Sequence, residues 1–126
     1  MDIFEASKNG DLDFIKAFIE NGGGINASDN DGNTALMWAS GYRHLNIGKF
    51  LIKKGADINA KNEYGNTALI VASAYGNLEI VKFLVENGAD VNYKNKNGNT
   101  ALISANNESH LDIFQYLLKK GAWKWQ

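Results

Sequence analysis

The chain has 126 residues, 44% hydrophobic and 21% charged, which is the ordinary range of a soluble globular unit. A formal net charge of −1 excludes any global attraction to nucleic acid or an anionic membrane surface, so neither is expected as a partner. The absence of cysteine excludes disulfides and thiolate zinc sites.

The chain begins Met1-Asp2-Ile3-Phe4-Glu5, acidic where a secretory signal would be basic. No apolar run reaches membrane-spanning length. The expected location is therefore intracellular, in the cytoplasm. The dominant pattern is Gly-Asn-Thr-Ala-Leu at 32–36, repeated at 65–69 and 98–102, a period of 33 residues. Ala39, Ala72 and Ala105 keep the same period, as do Leu45, Leu78 and Leu111, and Gly55, Gly88 and Gly121. Extended backwards, the register meets Ala6, Leu12, Gly22 and Ile25-Asn26. Residues 1–28 thus read as an incomplete, capping first unit, followed by units at 29–61, 62–94 and a C-terminal capping unit at 95–126.

Each unit reads as helix, tight turn, helix, loop. In the third, Thr67 is placed to cap a helix over 68–75, its hydroxyl accepting from an unpaired first-turn amide. Gly76-Asn77 interrupts that helix. A second helix is predicted over 78–87, where Leu78, Ile80, Val81, Leu84 and Val85 form an apolar stripe at helical spacing. Gly88 ends it by taking the left-handed conformation without a Cβ clash, and turn chemistry returns at Asn97-Gly98. Helices this short do not persist alone in water. Each pair must bury its stripe against the next, which predicts an all-α solenoid with caps at both ends.

These residues resemble the ankyrin repeat family. The match runs Asp29-x-x-Gly32-x-Thr34-x-Leu36-x-x-Ala39, then Leu45-x-Ile47, then Gly55-Ala56-Asp57-Ile58-Asn59, with equivalents 33 residues on, over essentially the whole chain. The resemblance implies antiparallel helix pairs with projecting β-hairpin fingers, stacked into a curved array. It further implies a non-catalytic module that binds a protein partner through finger tips and the concave face of the first helices. The chain departs from the family where Thr-Pro-Leu-His is usual: proline is missing, and Met37, Ile70 or Ile103 stands in the histidine position. The resemblance places His44 and His110 at second-helix starts as structural polar groups. Equivalent positions two units apart are separated by roughly 20 Å, too far to share a metal, and neither metal nor cofactor is expected.

Packing occupies the shared positions, so recognition is sought where units differ. The tips read Asn30-Asp31, Glu63-Tyr64 and Lys96-Asn97, grading from acidic to basic, each followed by a recurring asparagine, Asn33, Asn66 or Asn99. Tyr42 and Tyr75 are equivalent residues ending first helices, and aromatic side chains are favoured interface anchors. Asn107 and Glu108 end the first helix of the last unit. These thirteen residues are the candidate partner contacts. Gly48 stands on an apolar stripe held by Ile15, Val81 and Phe114 elsewhere, while Trp38 replaces Val71 and Ser104, so a volume swap between Trp38 and Gly48 is expected, with a small pocket as the alternative. Arg43 and Ser109, where other units have glycine, read as drift. Trp123 and Trp125 either seal the last helix pair or support end-to-end self-association, the alternative function; the primary expectation is a monomer with at most weak association there. No nucleophile elbow, phosphate loop or zinc-helix motif occurs, so no enzyme activity is expected.

Overall fold

The structure is a computed structural model and describes residues 1–122. Eight helices follow one another: α1 (Ile3–Asn9), α2 (Leu12–Glu20), α3 (Ala35–Gly41), α4 (Leu45–Lys53), α5 (Ala68–Tyr75), α6 (Leu78–Glu86), α7 (Ala101–Asn107) and α8 (Leu111–Lys119). The odd-numbered helices stack side by side, each even-numbered helix packs on the helix before it, and the even-numbered helices touch one another more sparsely. The all-helical solenoid expected from the period is what forms.

Local signals explain the helix limits. Thr34, Thr67 and Thr100 each sit in extended backbone and accept from the amide three residues on, at 3.3, 3.3 and 3.2 Å. Without a proline, these caps alone start the three first helices. Gly76 takes a left-handed φ of 80° and returns its amide to Ala72, which ends α5. The helices are seven to nine residues long, below the length that holds in water by itself. Lateral burial supplies the rest. Leu51, Leu84 and Leu117, one in each of the last three units, are wholly buried, and each burial contributes about 1.5–3 kcal/mol. Ala39, Ala72 and Ala105 are also wholly buried, and their small side chains let neighbouring first helices approach closely.

The fingers differ from the expected β-hairpins. Among the described residues the only β pairing outside helices is a single antiparallel bridge, Ser28 with Thr34. Each finger is instead a tight turn closed by its own side chain. In the first, the Asn33 carbonyl accepts from the Asp29 amide at 2.9 Å, while Asp29 Oδ1 accepts the amides of Asp31 and Asn33 at 3.0 and 2.9 Å. The carboxylate takes the donors that a longer strand ladder would have used.

Trp38 does not fill the space beside Gly48. A Cβ built on Gly48 would meet only Leu36 Cδ1, at 3.9 Å. Two helix positions apart means about 200° of rotation, so Leu36 and Trp38 leave α3 on opposite sides, and the volume swap is corrected to a glycine under Leu36. Gly48 is buried in α4 with room for a methyl group. Gly48→Ala should therefore raise unfolding stability by about 1–2 kcal/mol, measured as a higher urea midpoint at unchanged slope.

Candidate functional site

A groove of about 310 Å³ lies between the fingers and the first helices, on the side expected to be the concave face. Its helical wall includes Trp38 on α3, Tyr42 at the C-cap of α3, and Val71 and Tyr75 on α5; Asn33 and Asn66 contribute from the fingers. Residues four apart on a helix share a face, which aims both pairs into the groove. The Trp38 and Tyr42 rings lie 5.9 Å apart at an angle of 41°. Lys8 Nζ stands 5.6 Å from one ring centre and 5.5 Å from the other, within cation–π range.

The indole N–H of Trp38 donates to Asp29 Oδ2 at 2.9 Å. Burial works against ionisation of Asp29. The amides of Asn33 and Asp31 and the Trp38 indole outweigh that effect and hold its carboxyl below the ordinary value of 3.8. Because the folded value is the lower one, the stabilisation is complete above pH 3.8 and is lost as pH falls through the folded value. Denaturation midpoints from pH 5 down to pH 2 should fall more steeply for the wild type than for Asp29→Asn. Parallel curves would show that Asp29 does not contribute.

The fingers are stitched together by a repeated pair of bonds. Asn62 Nδ2 donates to Asn33 Oδ1, and Asn95 Nδ2 to Asn66 Oδ1, both at 2.8 Å. Beside them the Glu63 amide donates to the Asp31 carbonyl and the Lys96 amide to the Tyr64 carbonyl, both at 3.0 Å. This ladder accounts for a sequence difference at one position, Asp29, Asn62 and Asn95. The second and third donate to a preceding finger and are amides; Asp29 instead accepts from the Trp38 indole and is a carboxylate.

A second stitch joins the helix pairs. Nε2 of His44 lies 2.9 Å from the Lys8 carbonyl, and that of His110 lies 3.1 Å from the Ala74 carbonyl. A carbonyl can only accept, so Nε2 carries the proton in both rings. Asn77, at the equivalent place, donates to the Ser40 and Gly41 carbonyls. The expected structural role of the histidines is therefore observed. It also corrects the reading of Arg43 as drift. Gly10 lies under the His44 ring and Gly76 under the His110 ring, where a Cβ would come within 2.7 and 2.6 Å of Cε1. Arg43 precedes the smaller Asn77, and Ser109 has no following unit among the described residues. Side chains are admitted at φ 65° and 61° only where no imidazole sits above them.

Of the thirteen candidate contacts, Asn33, Tyr42, Asn66 and Tyr75 line the concave groove. Asn30, Asp31, Glu63, Tyr64, Lys96 and Asn97 are exposed on the finger tips, and Asn107 and Glu108 are exposed at the end of α7. Tyr64 and Tyr75 are 56 and 61% exposed, while Tyr42, packed against Trp38, is 43% exposed, so all three keep a substantial free surface. Glu63, and Asp31 behind it, push the Tyr64 hydroxyl up from its usual 10.0. Asn33 and Asn66 carry a structural duty that their surface position did not suggest, since their carbonyl oxygens hold the next finger. Asn99 is half-buried at the open end of that ladder. Sequence reasoning missed Trp38 as a groove residue; its i, i+4 relation to Tyr42 was the available signal. Trp123 and Trp125 lie outside the described residues.

Stacked helix pairs with projecting turns and an aromatic-walled groove define a repeat scaffold that presents a surface. The family model for ankyrin repeats matches residues 3–95 and 60–125, and the chain belongs to the ankyrin repeat family. Ankyrin repeats are generally protein–protein interaction modules and are typically non-catalytic. A search of curated protein sequences found no match to the chain. Among the described residues no helix is long and apolar enough to cross a membrane.

Proposed function

We propose that this chain is a non-catalytic recognition module whose protein partner lies along the concave groove and the finger tips. The observation that carries this reading is the row of exposed aromatic side chains, Tyr42 and Tyr75, on a frame whose fingers are already bonded to one another. Because the frame is ordered before binding, little loop entropy is lost on association, and more of the contact energy appears as affinity. The tips run from Asp31 through Glu63 to Lys96, which gives the partner a direction.

Tyr64→Ala combined with Tyr75→Ala tests the reading. Both rings are more than half exposed, so the melting temperature should barely change. Loss of two aromatic anchors should weaken binding by about 30-fold or more, measured against a partner recovered from host lysate by the intact chain. A large stability loss with unchanged affinity would refute this placement.

A second reading, end-to-end self-association through the C-terminal unit, has one observation in its favour. Leu111 is 64% exposed, whereas its equivalents Leu45 and Leu78 are partly buried against the core. Sedimentation over a concentration range separates the two readings, since the first requires a monomer.

A further inference from the structure

The last two fingers carry residues that the first lacks. Where one position reads Ala27 and Ala60, its next equivalent is Tyr93; where the following position first reads Ser28, its later equivalents are Lys61 and Lys94; and the tips change from Asn30 and Glu63 to Lys96. The structure brings these substitutions together. Lys61 Nζ stands 4.6 Å from the centre of the Tyr93 ring, across two consecutive fingers. Both belong to a second groove of about 310 Å³, walled also by Lys94 and Lys96, which shares only Asn62 and Asn95 with the concave groove. No carboxylate lines it among the described residues. Its frame is held by the Asn95–Asn66 side-chain bond and by the Lys96 amide on the Tyr64 carbonyl.

We infer that this groove receives a short acidic segment of the partner protein, rich in aspartate or glutamate, as that segment leaves the concave face. Three lysines line one cleft with an aromatic wall, and the Tyr93 ring already holds Lys61 within cation–π range, so less side-chain freedom is lost when a carboxylate arrives. Nucleic acid fits less well. Asp31 and Glu63 on the preceding tips oppose a long polyanion, and the chain as a whole is at −1. The inference rests on the partner being a protein, as proposed above, and adds the chemistry of one part of it.

The test is a titration of the full chain, isotopically labelled, with an eight-residue peptide of alternating glutamate and serine. Amide and lysine Nζ shifts should concentrate on Lys61, Tyr93, Lys94 and Lys96. Affinity should fall between 50 and 200 mM salt, and Lys94→Glu with Lys96→Glu should reduce it at least tenfold while the helical circular dichroism is retained. The same peptide with lysine for glutamate should not bind. Shifts spread equally over Lys16, Lys53 and Lys119, unchanged affinity in the double variant, or tighter binding of an eight-nucleotide DNA strand would each overturn the inference. Tyr42→Ala with Tyr75→Ala should leave peptide binding unchanged. If that variant loses the peptide, the acidic segment belongs in the concave groove and only this inference fails. If it keeps the peptide yet also keeps full affinity for a purified partner, the concave-face reading fails instead.

Discussion

Gly76→Ala is expected to lower the unfolding free energy by about 2–4 kcal/mol, through left-handed backbone strain and a displaced imidazole. Gly76 has φ 80°, and its new methyl group would stand 2.6 Å from His110 Cε1. The ring must move, which breaks its bond to the Ala74 carbonyl, and that bond couples the third unit to the fourth. Urea denaturation measures the loss. His110→Asn placed on the Gly76→Ala background should recover part of it, because Asn77 coexists with a side chain at Arg43. Arg43→Gly should act in the opposite direction, relieving φ 65°. If Gly76→Ala and Arg43→Gly proved equally neutral, the imidazole would not be what selects glycine.

The three finger glycines provide the second large effect and its own control. Gly32, Gly65 and Gly98 share positive φ values of 81, 77 and 80°, so alanine is strained at all three. They differ in what lies beyond. A Cβ on Gly65 would come within 3.0 Å of the Lys96 amide nitrogen and 3.2 Å of Asn95 Cα, whereas one on Gly98 would meet nothing within 4 Å. Backbone cannot rotate out of the way as a side chain can. Gly98→Ala should therefore cost about 1–2 kcal/mol for conformation alone. Gly65→Ala should cost about 1–3 kcal/mol more, by separating the fingers and breaking the Lys96–Tyr64 and Asn95–Asn66 bonds. Equal losses at the two positions would mean that fingers do not support one another.

Much of the fold was legible in the sequence. The threonine caps, the end of α5 at Gly76 and the helix beginning at Leu78 stand where the spacing placed them. The histidines start second helices as the family resemblance implied. The fingers were legible as turns but not in their bonding, since Gly32 and Gly65 announce a left-handed residue without saying whether a ladder or an Asp or Asn side chain closes the loop. Trp38 was misplaced because the unusual volumes at 38 and 48 invited a pairing, while the helical angle between Leu36 and Trp38 decided otherwise. The site was legible as a set of unlike residues on like frames. Which of them share a groove was not.

The helix pairs, and the starts of the three threonine-capped helices, were legible from the residues alone, because a capping hydroxyl acts on an amide only three residues away. Tertiary structure decided which side chains from different units meet: Asn62 on Asn33, His110 on Ala74, Lys61 on Tyr93. Those meetings depend on the step and rotation between stacked units, which arise from how buried leucines and alanines pack and which no local pattern encodes. The exposed groove, and the partner it suits, exist only at that level.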